Sequence, residues 1–562
     1  MPPSGQKIYA VVREAQAGRR DRVFVPGPGL AAMLTLVVLA LPYAAFLGVR
    51  SLWQPYEPDL VETAREMRAS GDYVVPTLNG KDYSEKPPLY YWSALAAASM
   101  RGALDETAAR LPCALSALAL CALTAAFGTR IFGFRAGLLA GLVLGTTPLC
   151  FQCGTAGMCD MQLALATTAG VMAVHAATTG PTPRGWLLVV AALCAGVGMM
   201  AKSLIAPAVI FLGTVPALAL DRRRQLPSIG WWVLAVLVFV IASSPWYVLV
   251  YERKGWETVH DLLVRQTIGR FFGQDEAKGT IIKYFVSVPG DFLPWTIFVP
   301  AAALYARRVR TSDPERWRQV RFLLVGAAAE VAFLSCANCR INKYALPIFP
   351  FLALCLGAAF DDVAEGGAER TLVKVGSILF PVVVGITGVA VPFVVAWKVP
   401  TLVDATIPLA TYLFLGGASL YVAARTLVPR GFAFTLAIFL AAGGALAEKT
   451  VVPAVDQIRS DRPIEAAITT FIKKDTPYAS YRLYVRSFII FYTERTYDVL
   501  RDQGELNRWL ACVGPRTAYI LARDEDVAPL VADAILGPRL KVVGRNPQGV
   551  GHDDYLLVRI SP

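Results

Sequence analysis

Runs of about twenty consecutive apolar residues recur along most of this 562-residue chain. A helix of that length crosses the roughly 30 Å hydrocarbon layer of a bilayer. The composition agrees, because 55% of the residues are hydrophobic and only 17% are charged, whereas a soluble protein carries about 25% charged residues. We therefore expect an all-α polytopic membrane bundle over residues 28–454, with about thirteen transmembrane helices.

Basic residues predict the orientation of this bundle. The tail, residues 1–27, is basic, and alternate short loops carry Arg-rich strings such as "DRRR" (221–224) and "RRVR" (307–310). Such loops remain on the cytoplasmic side. The first apolar run lacks a signal-peptide cleavage site, so we expect it to be an uncleaved span. The net charge of +12 then reflects orientation rather than nucleic-acid binding, and an odd number of spans places the C-terminus outside.

The opposite set of connections carries charges that the orientation rule does not explain. They are the long loop 51–104, the residues around Asp160, Lys202 at a span end, the loop 252–291 and "CANCRINKY" (336–344). Charges at membrane depth are costly and commonly line a polar cavity. For any single side chain, the alternative is an interfacial residue that extends to water, and Asp160 could instead stabilise a helix N-terminus. Because all five charged connections lie on the same face of the bundle, a shared functional site is favoured over separate interfacial side chains.

Two chemical groups stand out in these connections. Carboxylates at Glu57, Asp59 and Asp160 lie at span boundaries. The basic side chains would suit a phosphate, because Arg makes bidentate contacts and Lys supplies a point charge; they are Lys86, Lys202, Arg265, Arg270, Arg340 and Lys343. Cys336 and Cys339 form a lone C-x-x-C without a second pair at zinc spacing, so we expect buried small side chains there and no metal site.

Two further segments have a predicted structure. "EPDLVETAREM" (57–67) is typical of a helix lying on the membrane, with Leu60 and Met67 on one face and Glu62 and Glu66 on another. Residues 455–562 predict a small α/β domain outside the membrane. Its expected strands are "YRLYVRSFIIFY", "TAYILA", "LKVVG" and "YLLVRI", and its expected helices are "SDRPIEAAITTFIKK", "YDVLRDQGELNRWLACV" and "DVAPLVADAIL". A lid or a partner-docking role for this domain stays open.

A set of motifs resembles one family. The first outer loop contains "REM", "SGD" and "YSEKPPLYYW" (65–67, 70–72 and 83–92), and "CDMQLAL", "GVGMMAKSLIAP", "SSPWYVLV", "RQTIGRFF", "PGDFLPWTIFVP" and "CRINKYALPIFPFLAL" follow. Over about residues 25–360 this pattern resembles bacterial polyprenyl-phosphate-sugar glycosyltransferases of the protein O-mannosyltransferase superfamily, close to the aminoarabinose lipid A transferases. The resemblance implies the GT-C fold, a bacterial inner membrane location and an active site on the outer face.

The resemblance also implies a function. A sugar would pass from undecaprenyl phosphate to a lipid A-like or other extracytoplasmic acceptor, with inversion and without a metal or other cofactor. Lys86 would face the donor phosphate, Arg270 and Arg340 would stabilise the leaving phosphate, and Tyr83, Glu85 and Tyr344 would belong to the pocket. Alternatives are a protein or cell-wall-polymer glycosyltransferase of this fold, a lipid-linked-sugar flippase or transporter, and a membrane scaffold.

Several positions depart from the family pattern. Tyr56 stands where family members carry the customary catalytic aspartate, while Glu57 matches the second acid and Asp59 falls where arginine is common. Arg340 replaces a lysine, and Gln266 with Thr267 replaces an acidic–histidine pair. The sequence therefore predicts that Glu57 or Asp59 acts on the acceptor, assisted by Asp160.

Overall fold

The computed structural model describes residues 26–53, 56–273, 280, 282–364, 370–459, 462–473, 475–545 and 555–562. A helical bundle occupies the described residues up to Arg459, and a small mixed domain follows it. In the bundle, the helices are α1 Pro28–Ala44, α2 Glu57–Ser70, α3 Leu89–Arg101, α4 Glu106–Phe132, α5 Phe134–Gly145, α6 Pro148–Gly154, α7 Cys159–Thr178, α8 Trp186–Lys202, α9 Ile205–Ala219, α10 Ile229–Lys254, α11 Trp256–His260, α12 Arg270–Phe272, α13 Lys283–Asp291, α14 Val299–Ser312, α15 Pro314–Cys336, α16 Phe349–Ala364, α17 Arg370–Lys398, α18 Val403–Thr426 and α19 Pro429–Arg459.

The chain is a multi-pass membrane protein. Within the described ranges, seven helices are long and apolar enough to cross a membrane, and the count rises to nine if each of two bent pairs is one span. The bends lie between α5 and α6, at 66°, and between α13 and the segment Trp295–Ser312, at 104°. Shorter apolar helices, α1, α8 and α9, accompany them. The helical bundle is confirmed, whereas the number thirteen stays a prediction.

The first outer loop folds into a helix, a hairpin and a second helix. Helix α2 has Pro58 in its first turn and ends where Gly71 adopts a left-handed conformation, at φ +71°. Strands β1 (Thr77–Leu78) and β2 (Lys81–Asp82) then pair in antiparallel fashion around Asn79 and Gly80, whose φ angles are both positive. An Asn-Gly pair adopts this tight hairpin turn readily. The hairpin leads the chain to "EKPP" and α3.

Helix α2 differs from the predicted surface helix. Both Glu62 and Glu66 are buried, at 0% and 9% exposure. Glu62 is paired with Arg65, and Glu66 accepts hydrogen bonds from the Thr77 hydroxyl and the Gly80 amide of the hairpin. The polar face of α2 is therefore covered by protein, which the amphipathic pattern alone could not reveal.

The C-terminal domain contains a five-stranded mixed sheet with the order β4-β3-β5-β7-β6. Its strands are β3 Tyr478–Tyr481, β4 Asp498–Leu500, β5 Ala518–Arg523, β6 Leu540–Arg545 and β7 Tyr555–Ile560, and its helices are α20 Arg462–Phe471, α21 Ser487–Thr493, α22 Gln503–Val513 and α23 Asp524–Val531. Strand β3 is parallel to β4 and β5, and β7 is antiparallel to β5 and β6. A small C-terminal domain that contains a sheet is thus confirmed, whereas its place outside the membrane stays a prediction.

Two of its predicted elements are wrong. The expected strand "YRLYVRSFIIFY" stops at Tyr481, and Ser487–Thr493 forms helix α21 instead. The expected helix from Tyr497 begins only at Gln503, because Asp498–Leu500 pairs with β3 as strand β4. Short apolar runs fit a strand and a buried helix equally well. Here the packing of α21 against α2 decides the outcome.

Several hydrogen bonds fasten the C-terminal domain and the end of α19 to the first outer loop. The amide and hydroxyl of Ser51 both donate to Asp456. The Asn79 amide nitrogen donates to the Tyr497 carbonyl at 2.8 Å, and the Tyr497 amide donates back to the Asn79 side chain at 3.1 Å. These contacts seat the domain directly over α2 and the hairpin.

Candidate active site

A polar pocket of about 450 Å³ lies where the first outer loop meets the bundle. Its walls come from α2, the "EKPP" segment, the start of α7, the end of α8, α12 and the segment 341–344. Nine of the twelve predicted site residues line it: Asp59, Tyr83, Glu85, Lys86, Asp160, Lys202, Arg270, Lys343 and Tyr344. The structure therefore brings together the charged residues of five separate connections.

Glu85 is the centre of the first charged group. Its Oε1 lies 3.1 Å from Lys86 Nζ and 2.5 Å from an Arg270 amino nitrogen, and Tyr83 donates its hydroxyl to Oε2. Burial would raise the pKa of Glu85, but Lys86 and Arg270 lower it to about 2. Burial lowers the pKa of Lys86 from its usual value, and Glu85 opposes this. Glu85 therefore remains an anion that holds two cations at the pocket wall.

Asp160 is the centre of the second charged group. Its carboxylate is paired with Lys202 and lies 3.4 Å from Lys343 Nζ. Both lysines also lie over aromatic rings, with Lys202 Nζ 4.1 Å from the centre of Tyr344 and Lys343 Nζ 3.5 Å from that of Tyr56. Such cation–ring contacts are attractive. Asp160 is thus an anchor for two cations and does more than stabilise a helix end.

The charged side chains that line the pocket, which are the two groups and Asp59, carry a net positive charge. Four basic side chains line the pocket, namely Lys86, Lys202, Arg270 and Lys343, and three carboxyl groups accompany them, namely Asp59, Glu85 and Asp160. Four minus three leaves one positive charge when all of them are ionised. A phosphodiester carries a single negative charge, so its entry would neutralise the pocket.

Glu57 does not line this pocket. Its carboxylate is 1% exposed and accepts from Arg110 Nε at 2.7 Å and from Arg50 at 2.6 Å, as well as from the backbone amides of Trp53 and Gly157. Burial would raise the pKa of Glu57, but Arg110 and Arg50 hold it well below its usual range. Four protein groups donate to a carboxylate that is almost completely buried, so the geometry favours a structural role.

Asp59 does line the pocket, and helix geometry explains the difference. Residues three apart lie on the same side of a helix, whereas adjacent residues point about 100° apart. Asp59 therefore shares the side of Tyr56, the position of the customary aspartate, while Glu57 turns inward to Arg110. Burial raises the pKa of Asp59 to about 6, with Glu85 adding to the rise and a hydrogen bond from Ser487 opposing it.

The pocket wall also contains Leu60, Cys159 and Ile341, which sequence reasoning did not place there. Sequence reasoning also missed Ser487, which contacts Asp59 from outside the pocket wall. Its hydroxyl donates to Asp59 Oδ1 at 2.6 Å across 428 positions of the chain. No motif marks Ser487, and its segment resembled a strand. Only the docking of the C-terminal domain brings this hydroxyl to Asp59.

An apolar cavity of about 660 Å³ adjoins the polar pocket. Its apolar walls include Leu163, Ile205, Val209, Phe271, Phe333, Leu334, Ala337 and Pro347. Lys202, Arg270 and Tyr344 line both this cavity, called the apolar groove below, and the polar pocket. The basic side chains of the polar pocket thus lie next to the apolar groove. This arrangement suits a molecule with a phosphate head and a hydrocarbon tail.

The remaining predicted residues lie elsewhere. The Arg265 side chain is 65% exposed and lies 3.7 Å from Asp261. The Arg340 guanidinium is buried and donates to the Ser335 carbonyl, outside the pocket wall. Of the C-x-x-C pair, Cys339 is buried as expected, whereas Cys336 is exposed. The expectation of metal-independent chemistry stays a prediction.

Sequence comparison gives two kinds of match. The family model described as dolichyl-phosphate-mannose-protein mannosyltransferase matches residues 85–248. An undecaprenyl phosphate-alpha-4-amino-4-deoxy-L-arabinose arabinosyl transferase of Sodalis glossinidius is 31% identical over 347 residues, which is 60% of each chain. Its counterpart in Pectobacterium atrosepticum is 31% identical over 372 residues, or 64% of each. The chain therefore matches less than two thirds of the length of these relatives.

Structural comparison covers more of the chain. ArnT from Cupriavidus metallidurans, in a crystal structure bound to undecaprenyl phosphate, superposes with a TM-score of 0.74 at 22% sequence identity, covering 94% of this chain and 97% of that one. The apo crystal structure of the same protein gives the same values. The fold predicted for the bundle is thereby confirmed, and the family-model match over residues 85–248 agrees with the predicted resemblance.

Proposed function

We propose that this chain, which has the fold of ArnT and the motifs of the mannosyltransferase superfamily, transfers a sugar from undecaprenyl phosphate to a lipid A-like acceptor. The observation that carries the proposal is the junction of the basic pocket with the apolar groove at Lys202, Arg270 and Tyr344. The phosphate would lie among the cations and the prenyl tail in the groove. The names of the arabinosyl transferase relatives support this donor class.

The chemistry would be a direct displacement. A hydroxyl oxygen of the acceptor bonds to the anomeric carbon, the bond from that carbon to the phosphate oxygen breaks, and its electron pair stays on undecaprenyl phosphate. Asp59, which lines the pocket, takes up the hydroxyl proton. Because attack is opposite to the leaving group, the configuration at the anomeric carbon inverts.

The cations would stabilise the departing phosphate. Lys86 and Arg270 flank Glu85, and Lys202 and Lys343 flank Asp160, so each carboxylate holds two positive groups in place before the substrate arrives. Charges positioned in advance commonly supply the largest part of such stabilisation. Glu57 fixes the start of α2 through Arg110 and Arg50 and thereby aims Asp59.

Sidedness forms part of the same proposal. The loops that build the pocket alternate with the Arg-rich loops, so the orientation rule supports a cytoplasmic N-terminus with the pocket and the C-terminal domain on the extracytoplasmic face of a bacterial inner membrane. There the donor head would be presented from the outer leaflet.

A transfer assay tests the proposal. Purified protein in vesicles is given undecaprenyl-phosphate-linked sugars with lipid A, a protein acceptor or a glycan acceptor in separate arms, and product masses are measured. We expect a lipid A product and free undecaprenyl phosphate, with Lys86→Ala reducing kcat by about 10²–10³-fold. A product only in the protein or glycan arm would show that the acceptor is a protein or a glycan instead of lipid A. Movement of the intact donor across the vesicle membrane without transfer would indicate a flippase and refute the proposal.

A further inference from the structure

The C-terminal domain contacts Asp59, a residue of the pocket wall, through one hydroxyl group. Ser487, the first residue of α21, is completely buried and donates to Asp59 Oδ1 at 2.6 Å. We infer that Ser487 is a positioning residue for Asp59, so that the C-terminal domain completes the reaction site. This inference rests on the proposed function, in which Asp59 accepts the proton.

The hydrogen bond defines the orientation of the carboxylate. An aspartate at a pocket wall can otherwise rotate about its side-chain bonds, and proton transfer requires a donor–acceptor distance of about 2.6–3.2 Å. With Oδ1 engaged by Ser487, Oδ2 becomes the oxygen that can receive the acceptor's proton. A charge-assisted bond of this kind also stabilises the ionised form of the carboxyl, which is the form that a base requires.

The placement of Ser487 is itself fixed from the first outer loop. At one end of α21, the Arg486 amide donates to the Tyr497 hydroxyl at 2.5 Å, and the backbone of Tyr497 is bound on both sides by Asn79. At the other end, Tyr492 accepts from the Leu52 amide at 2.9 Å and donates to Glu106 at 2.8 Å. Both ends of the helix are therefore attached to the loop that carries Asp59.

The charges around Asp59 come from both domains. The titratable and charged groups that face it are Glu85, Lys86, Tyr83, Tyr91, Tyr497 and Arg486. Burial and Glu85 raise the pKa of Asp59, whereas Ser487, Arg486 and Lys86 lower it. Loss of the Ser487 hydroxyl therefore raises the pKa of Asp59 further, and the ionised base then appears only at higher pH.

Two measurements on the full chain test this role. The first is carbodiimide modification of Asp59, followed by mass spectrometry, because the reagent attacks protonated carboxyl groups whether or not the protein is turning over. We expect a labelling midpoint near the pKa of about 6, and a midpoint about one pH unit higher in Ser487→Ala. The second is the pH profile of transfer. Ser487→Ala should be slower at every pH because Asp59 loses its orientation. It should be about threefold slower still near pH 6.5 than near pH 8.5 because fewer molecules carry the ionised base, with KM for the donor unchanged.

Two variants serve as controls. Ser487→Thr keeps the hydroxyl and should restore the wild-type midpoint and profile. Thr493→Val removes a hydroxyl from the same helix, but that hydroxyl bonds only within α21, to the Ile489 carbonyl, so it should leave both measurements unchanged.

The outcomes separate the two proposals. An unchanged labelling midpoint in Ser487→Ala overturns the inference, and so does an equal loss of rate at every pH in Ser487→Ala and Thr493→Val, which would indicate a packing role only. A shifted midpoint together with a shifted rate profile supports it. If the labelling midpoint differs between the wild type and Ser487→Ala but the wild type transfers no sugar, the proposed function is refuted while the Ser487–Asp59 contact is supported.

Discussion

The carboxylate of Glu57 and the guanidinium of Arg110 form a buried ion pair, with Nε 2.7 Å from Oε1 and each side chain 1% exposed. This pair joins the start of α2 to α4, and Arg50 adds a second guanidinium to the same carboxylate. The pair explains why Glu57 and Asp59, two acids separated by Pro58 that the sequence treats as equivalent candidates, have different surroundings.

The ion pair predicts that Glu57→Gln affects stability more than chemistry. The substitution leaves two buried guanidinium groups without a counterion, which costs about 3–5 kcal/mol. We expect a large drop in the unfolding temperature in detergent micelles, while the protein that remains folded keeps its pH profile. Glu315→Gln is the control, because it breaks an exposed ion pair with Arg223 worth about 0–1 kcal/mol. If Glu57→Gln is as stable as the control but inactive, Glu57 has a catalytic role and the prediction is wrong.

The second prediction concerns pH. Because the pKa of Asp59 is raised to about 6, the base is lost as pH falls through that value, and the rate of transfer should fall with it. Asp59→Asn should abolish most activity, by about 10²-fold or more. Glu62→Gln is the control, since Glu62 also has a raised pKa, about 7, but lies outside the pocket; its profile should match the wild type. An unchanged rate in Asp59→Asn would show that Asp59 is not the general base.

The same raised pKa predicts a change in stability. In the folded protein, ionising Asp59 is unfavourable relative to the unfolded chain, so its charge destabilises the fold above about pH 6 and has no such effect well below its unfolded pKa of about 4. Asp59→Asn should therefore raise the unfolding temperature near pH 8 and leave it unchanged near pH 3.5. A lower unfolding temperature near pH 8 would contradict the assigned pKa direction.

The third prediction concerns the seating of the C-terminal domain. Asn79→Gly removes both side-chain hydrogen bonds to Tyr497 but accommodates the positive φ of +55° at this position. Two lost bonds of about 1 kcal/mol each should speed hydrogen exchange of the 487–493 peptide by about 5- to 30-fold. Asn507→Gly, at an exposed position of α22, should not change exchange in that peptide, and equal exchange in both variants would show that Asn79 does not hold the domain.

The fourth prediction concerns the apolar groove. Ala337→Phe should fill part of the cavity that ends at Lys202 and Arg270 and raise KM for the undecaprenyl donor roughly tenfold, the equivalent of about 1.4 kcal/mol. A donor with a short prenyl chain should be affected less. Ala441→Phe is the control, because it fills a separate apolar cavity of about 940 Å³ lined by Phe151 and Phe380. Equal effects of the two substitutions would argue against the groove as the donor channel.

Much of this arrangement could be predicted from the sequence, and particular residues show where prediction stopped. Membrane insertion follows from the length of the apolar runs. The clustering of Lys86, Arg270 and Asp160 follows from the alternation of loops between the two sides of the membrane and from the resemblance of their motifs to the family. The choice between Glu57 and Asp59 does not, because residues two apart on a helix point in nearly opposite directions and the inward-facing one is selected by Arg110 on another helix. The contact of Ser487 depends on tertiary packing across most of the chain, which no local pattern encodes.

The central claim is that the pocket holds a phosphate attached to a prenyl chain, and a comparison of two lipids tests it most directly. Undecaprenyl phosphate and undecaprenol share the tail and differ only in the phosphate. We expect undecaprenyl phosphate to raise the unfolding temperature of the wild-type protein, with undecaprenol giving little effect and Lys86→Ala losing most of the stabilisation. Equal stabilisation by both lipids, or full stabilisation of Lys86→Ala by the phosphate, would contradict the account.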